Sequence, residues 1–278
     1  MESQSDVALE LKGLTKVYPK RMFEDSHYSV QDLNLQLRAG QVTGFLGHNG
    51  AGKTTTIRCI LGLIRLTAGE ILYKGAPISS ETVRNIGYLA EKNSLPQKLT
   101  PYETLSFHNN LGVDKLGKEE LEARLRTLGL WDHRKKAVRQ LSKGLAQRLA
   151  WGIATIHNPT FLILDEPFSG LDPLAREMMR NWIQKEQEKG TTILLCTHEV
   201  EYAEALCDNI VIIKQGSVVF DSTKEEKASQ WRVLVTGKTD PMVYESYKEA
   251  CDAMSKYISD GVEVSEFKKQ FKDLTKYF

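Results

Sequence analysis

Apolar residues along the chain fall into distinct kinds of run. Val42 to Leu46, Phe161 to Leu164 and Thr192 to Leu195 are short, nearly unbroken and rich in branched side chains. That is the pattern of strands buried on both faces of a largely parallel sheet. Each run leads directly into polar residues, where an α/β sheet gathers its ligand beyond the carboxyl ends of its strands. Val7 to Leu11 and Leu33 to Leu37 alternate apolar with polar residues and predict a more exposed antiparallel sheet.

From about Asn93 to Asn158 the strand pattern stops. Thr100-Pro101-Tyr102-Glu103 supplies an N-cap, a proline at the first helical position and the glutamate of a capping box, so a helix starts there. Leu121, Leu125 and Leu128 mark one helical face, and a further helix runs from about Gly144 until Asn158-Pro159 ends it. The stretch reads as an all-helical insert. Ile210 to Phe220 is hairpin-like, with its turn at Gln215-Gly216, and the polar stretch Asp221 to Gln230 marks a boundary. In the appendix that follows, Trp231 to Val235 reads as a strand. Tyr247, Ala250, Met254 and Tyr257 share one helical face, and Phe267, Phe271, Leu274 and Phe278 share another.

Composition narrows the picture. The 278 residues suffice for one large domain with a modest appendix, and a net charge of +1 argues against a nucleic-acid binder that relies on bulk positive charge. Cys59, Cys196, Cys207 and Cys251 form no CxxC pair and no zinc-like spacing with histidine, which predicts reduced thiols. No window approaches the about 18 apolar residues of a membrane span, and the first residues lack the pattern of a secretory leader. The expectation is a soluble chain.

The chemistry concentrates after two of the buried strands. Gly47-His48-Asn49-Gly50-Ala51-Gly52-Lys53-Thr54 fits the G-x-x-x-x-G-K-[ST] pattern, in which backbone N–H groups wrap phosphate oxygens, the lysine reaches the terminal phosphates and the hydroxyl meets Mg²⁺. It follows a strand and opens a helix from Lys53 to Leu63, whose dipole favours anions. Phe161-Leu162-Ile163-Leu164-Asp165-Glu166 delivers two carboxylates to a strand end. One suits a metal and the other an attacking water, because phosphoryl transfer depends mostly on positioning and charge neutralisation.

With these motifs the sequence resembles the nucleotide-binding subunit of the ATP-binding cassette (ABC) family, from about Leu9 to Phe220. Leu141-Ser142-Lys143-Gly144-Leu145 is similar to the family signature, usually written LSGGQ, and departs from it at Lys143 and Leu145. Ser169-Gly170-Leu171-Asp172 resembles the D-loop, and His198 sits where the family has its switch histidine. Tyr18 resembles the aromatic that stacks on adenine, with Phe23, His27 and Tyr28 as alternatives. Glu91 stands where the family has its Q-loop glutamine.

The resemblance implies a P-loop α/β core of ABC ATPase type with an antiparallel β subdomain, the helical insert at about 93–158 and a small C-terminal α/β appendix. The ATP-binding domain would span 1–222 and the appendix 223–278. It also implies an ATP-hydrolysing transporter subunit in which Lys53, Glu166 and His198 are catalytic and Thr54, Asp165 and Glu91 hold Mg²⁺. ATP would be bound by Tyr18, by Gly47 through Thr55 (Gly47, His48, Asn49, Gly50, Ala51, Gly52, Lys53, Thr54 and Thr55), and by Ser142, Gly144 and Asp172. Ser142 and Gly144 would act on the ATP of a second copy, making a dimer. Separate transmembrane permease subunits would dock on the insert and the Glu91 loop, placing the chain at the inner face of the cell membrane. Glu91, the Ser142-Lys143-Gly144 signature and the lack of a fused membrane segment look most like the drug, lipid and polysaccharide exporter branch, and Phe267 to Thr275 is faintly similar to that branch's C-terminal helix. The alternative is a soluble ABC ATPase clamping ribosome or DNA.

Overall fold

The computed structural model describes residues 7–19, 27–112, 115–224, 229–236, 240–271, 274 and 277. In chain order β1 (Val7–Tyr18), β2 (His27–Arg38) and β3 (Val42–Leu46) precede α1 (Lys53–Ile60). Next come β4 (Ala68–Tyr73), β5 (Ala76–Pro77), α2 (Ser80–Arg84) and β6 (Ile86–Leu89). The insert contributes α3 (Pro101–Leu111), α4 (Lys118–Thr127) and α5 (Lys143–Thr155). The core then continues with β7 (Phe161–Asp165), α6 (Pro173–Glu188), β8 (Thr192–Thr197), α7 (Val200–Leu206), β9 (Asn209–Lys214) and β10 (Ser217–Asp221). Last are β11 (Ser229–Val235), β12 (Met242–Tyr244), α8 (Tyr247–Ser259) and β13 (Val264–Phe271).

The central sheet runs β10-β9-β3-β8-β7-β6. β3, β6, β7, β8 and β9 pair in parallel and β10 closes one edge antiparallel through the Gln215-Gly216 turn. Period-two alternation divides the strands between two cores. Phe45, Phe161, Ile163, Leu194 and Cys196 face one side, and Val42, Leu46, Leu162, Leu164, Ile193 and Leu195 the other. The first face is covered by α1 and by an antiparallel sheet of order β2-β1-β4-β5. β1 and β2 are each 12 residues long, well beyond the runs expected from alternation alone, and they bury Leu9, Leu11, Leu14, Leu33, Leu35 and Leu37 on a single face.

The second face carries the insert. Thr100 caps α3 with the reciprocal Glu103 contact and Pro101 occupies its first turn, as the sequence predicts. Leu121, Leu125 and Leu128 are buried with Leu105, Leu149 and Trp151 in the same core as β7 and β8.

The C-terminal residues differ from expectation. Phe267 and Phe271 do not lie on a helix: β13 is a strand, paired antiparallel with β11 in a three-stranded sheet ordered β12-β11-β13. Residues four apart share a face in a helix and equally in a strand, so their spacing could not separate the two. The likeness of Phe267 to Thr275 to an exporter-type C-terminal helix fails for the same reason, since strand pairing runs through Phe271. Leu274 lies buried beyond the strand, and Phe278 is outside the described residues. α8 forms where the Tyr247–Tyr257 face predicts it, with Ala250 buried. Phe271, Leu274 and Tyr277 join the core that holds Ile210, Ile212 and Phe220, and the Tyr277 ring lies 4.7 Å from that of Phe220. Phe271→Ala is therefore expected to destabilise the main α/β core itself by about 3 kcal/mol in urea unfolding, the usual scale for emptying a buried aromatic site.

Candidate functional site

The loop between β3 and α1 is shaped by close backbone approaches. A Cβ on Gly47 would stand 2.4 Å from the Ile213 carbonyl oxygen. Gly52 has φ +113° and a Cβ there would meet the Ser29 carbonyl oxygen at 2.6 Å. Only glycine fits either position. Gly52 is also the N-cap of α1, so no side chain caps the helix, and its first turn carries no acidic residue. The N-terminal N–H groups of the helix thus have neither a side-chain cap nor a first-turn carboxylate, which suits them to an anion.

Lys53 is buried, and its ammonium donates to the carbonyls of Gly47 and His48. It also lies 3.5 Å from Glu166 Oε1. β7 and β8 supply the opposing wall. Glu166 follows β7 in the left-handed region at φ +49°, an uncommon conformation for a residue with a side chain. Its backbone N–H donates to Cys196 O at 2.8 Å, so the strand ladder holds the turn. Both carboxylate oxygens are engaged: Thr197 Oγ1 donates to Oε2 at 3.2 Å, and His198 Nδ1 is 2.9 Å from Oε1. Asp165 is buried beside it, with Thr54 Oγ1 donating to Oδ2 at 3.4 Å. Burial first, then the charges of Glu166 and Glu91, push the Asp165 carboxyl up to about 6 against the lowering effects of Lys53 and Thr54.

His48, Asn49, Gly50, Gly52, Lys53, Thr54, Thr55, Glu91, Asp165 and Glu166 line one cleft together with Ser29, whose hydroxyl is 2.7 Å from that of Thr55. Glu91 is exposed at its rim. Gly47 and Ala51 are buried in the loop behind it. The other predicted residues lie outside the cleft lining. Ser142 caps α5 by accepting from Leu145 N at 3.3 Å, and the α-carbon of Gly144 faces open space. Asp172 caps α6 by accepting from Ala175 N at 2.8 Å. Tyr18 ends β1, 39% exposed, with the Lys16 ammonium 5.2 Å above its ring. Tyr28 is exposed on β2 opposite Val17, whereas Phe23 and the side chain of His27 lie outside the described residues.

Three side chains at or beside the site are not among the site residues named from the sequence. Ser29 and Thr197 reach the site from β2 and β8. Buried Gln147, one turn into α5, donates to the Pro167 carbonyl at 3.2 Å and accepts from Asn93 at 2.7 Å, joining the loop after Glu91 to the residue after Glu166. Among the described residues no group of three or more His, Cys, Asp and Glu forms a protein-only metal cage. A hydroxyl and a carboxylate are hard oxygen donors that fit Mg²⁺, an ion that takes few protein ligands and completes its shell with phosphate oxygens and water.

A parallel sheet with an uncapped glycine-loop helix after one strand and paired carboxylates after another defines a P-loop nucleotide-binding protein. The sequence pattern of the family described as ABC transporter matches residues 30–169. The ABC transporter ATP-binding protein YhaQ of Bacillus subtilis (strain 168) is 38% identical over 230 residues, 82% of this chain and 77% of the relative. The bacitracin transport ATP-binding protein BcrA of Bacillus licheniformis is 38% identical over 226 residues, 78% of this chain and 71% of that protein. Among solved structures, a dimeric ATP-binding cassette in a post-hydrolysis state bound to ADP and Pi aligns with TM-score 0.68 at 25% identity, covering 77% of this chain and 97% of that one. The chain belongs to the ABC transporter family as an ATP-binding, ATP-hydrolysing subunit. The relatives' transport roles favour this reading over a ribosome clamp.

The Asp165 shift has a consequence for stability. Its folded carboxyl holds a proton up to about pH 6, while the unfolded one releases it near 3.8. Between these values the folded state binds more protons, so this group's contribution falls as pH rises. Asp165→Asn is expected to stabilise the ligand-free chain by about 1 to 3 kcal/mol at pH 7.5. The gain should shrink as the pH is lowered toward 4, which urea unfolding at the two pH values measures.

Proposed function

We propose that this chain is the motor of an exporter of the drug, lipid and polysaccharide branch, working as a dimer beneath separate permease subunits at the inner face of the membrane. The observation that carries the chemical part is Glu166, a buried carboxylate bonded at both oxygens and set 3.5 Å from Lys53 beside the uncapped start of α1. The N–H groups of Gly50 through Thr55 cradle the phosphates, and Lys53 leaves its loop carbonyls to pair with the terminal phosphate oxygens. Thr54 and Asp165, with Glu91 at the rim, would hold Mg²⁺, which when bound would neutralise phosphate charge. Glu166 aligns and deprotonates the attacking water. His198 keeps Glu166 oriented and presents its other ring nitrogen to the γ-phosphate. Tyr18 offers a flat ring to adenine.

Ser142 and Gly144 do not line their own chain's cleft, which supports a role on the ATP of a second copy. The dimeric relative bound to ADP and Pi is in keeping with that. Among the described residues no helix is long and apolar enough to cross a membrane. A groove of about 410 Å³ between the insert and β6, lined by Arg84, Tyr88, His108, Leu111, Ile153 and His157, is suited to receive a permease subunit. Phe107 and Leu111 beside it are 52% and 69% exposed, an apolar rim of the kind that an interface covers. The similarity to a bacitracin transport protein supports the exporter branch.

Glu166→Gln tests the chemical core. Hydrolysis is expected to slow by about 10² to 10⁴ while ATP binding persists. With ATP the variant should elute as a dimer in gel filtration, and adding Ser142→Arg should return it to monomer. An unchanged hydrolysis rate would overturn the assignment of Glu166.

A further inference from the structure

Beyond the cleft, one arginine ties together the two segments that carry Glu166 and His198. Arg176 lies on the first turn of α6, where its N–H donates to Asp172 O at 3.0 Å. Its Nε donates to the Leu171 carbonyl at 3.0 Å, and its Nη1 donates to the Tyr202 hydroxyl at 3.1 Å and to Glu199 Oε2 at 3.4 Å. Leu171 ends the tight turn that starts at Glu166, in which Ser169 N donates to Glu166 O at 3.1 Å and Leu171 N to Phe168 O at 3.2 Å. Glu199 and Tyr202 flank the start of α7, directly after His198. The Tyr202 ring lies flat on that of buried Phe168, with centroids 4.1 Å apart and planes 12° from parallel.

The two segments are therefore bridged twice. At the near end Glu166 bonds Thr197 and His198, and Glu199 N–H donates to Thr197 Oγ1 at 3.0 Å. At the far end Arg176 joins Leu171 to Glu199 and Tyr202. The His198 side chain is 49% exposed, so packing does little to fix its ring. Its direction depends on the backbone between Thr197 and Glu199, and the far bridge limits how that backbone can rotate. A planar guanidinium suits three acceptors spread in one fan, whereas a lysine keeps the charge and loses the fork.

We propose that Arg176 is a positioning residue that locks the His198 segment against the Glu166–Leu171 turn, so that imidazole and carboxylate meet the nucleotide in one fixed geometry. This rests on the roles given above to Glu166 and His198. Arg176 and Glu199 are partly exposed, and such an ion pair contributes little to stability. The value of the contact is geometric.

A double-mutant cycle on the full chain tests this, with kcat and KM for ATP measured for Arg176→Ala, His198→Ala and the pair. Arg176→Ala should lower kcat about tenfold with KM changed by less than about twofold, and shift the melting temperature by no more than about 4 °C. In the His198→Ala background the same change should cost less than about twofold, because the group it positions is gone. Arg176→Lys should fall between wild type and Arg176→Ala. Equal losses from Arg176→Ala with and without His198 would overturn the proposal, as would a melting shift that accounts for the whole loss. If His198→Ala alone left kcat unchanged, the role of His198 would fail first, and that result is distinct from the cycle.

Discussion

Two carboxylates and one lysine, all buried where β3 and β7 end, set the terms for the rest of this molecule. Asp165, Glu166 and Lys53 do not balance, and burial makes the surplus negative charge costly. The structure manages it with local donors. Thr54 serves Asp165, Thr197 and His198 serve Glu166, and Lys53 leans toward Glu166 while its other donors go to loop carbonyls. A site arranged this way is stabilised by whatever brings a cation and gives Lys53 an anionic partner, which a metal–nucleotide complex does in one step.

The surrounding fold keeps these groups in place. Parallel pairing of β3, β7 and β8 sends three strand ends to one edge. Ladder contacts then hold the left-handed turn at Glu166 that aims its carboxylate back toward the P-loop. The antiparallel sheet packs behind α1 and the helical insert behind β7 and β8, so each subdomain supports one wall. Gln147 spans from the loop after Glu91 to Pro167, and Arg176 spans from Leu171 to the start of α7. Both place a single side chain between two segments next to the catalytic groups, the arrangement through which an outer contact can act on the chemistry.

Much of this was legible in the sequence because it is local. The uncapped glycine turn, the carboxylate pair after a strand, the capping box at Thr100 and the hairpin at Gln215-Gly216 are each set by residues only a few positions apart. What escaped is of two kinds. The Phe267 and Phe271 pair fits a helix face and a strand face equally, and only pairing with β11, more than thirty residues earlier in sequence, decides it. Ser29 and Thr197 reach the site, and Gln147 and Arg176 join the segments around it, through tertiary contacts that no local spacing announces. For Tyr18 the sequence could name an aromatic, but the exposed ring at the end of β1 lies outside the cleft lining, and residues 20–26 after it are not described.

The account turns on the surplus negative charge, and Asp165 reports it directly. Carbon-13 NMR titration of the Asp165 carboxyl in the ligand-free chain should give a midpoint of about 6. In Glu166→Gln that midpoint should fall, because the second cause of the shift after burial is the Glu166 charge. A midpoint near 3.8 in the unaltered chain, unmoved by Glu166→Gln, would contradict the account.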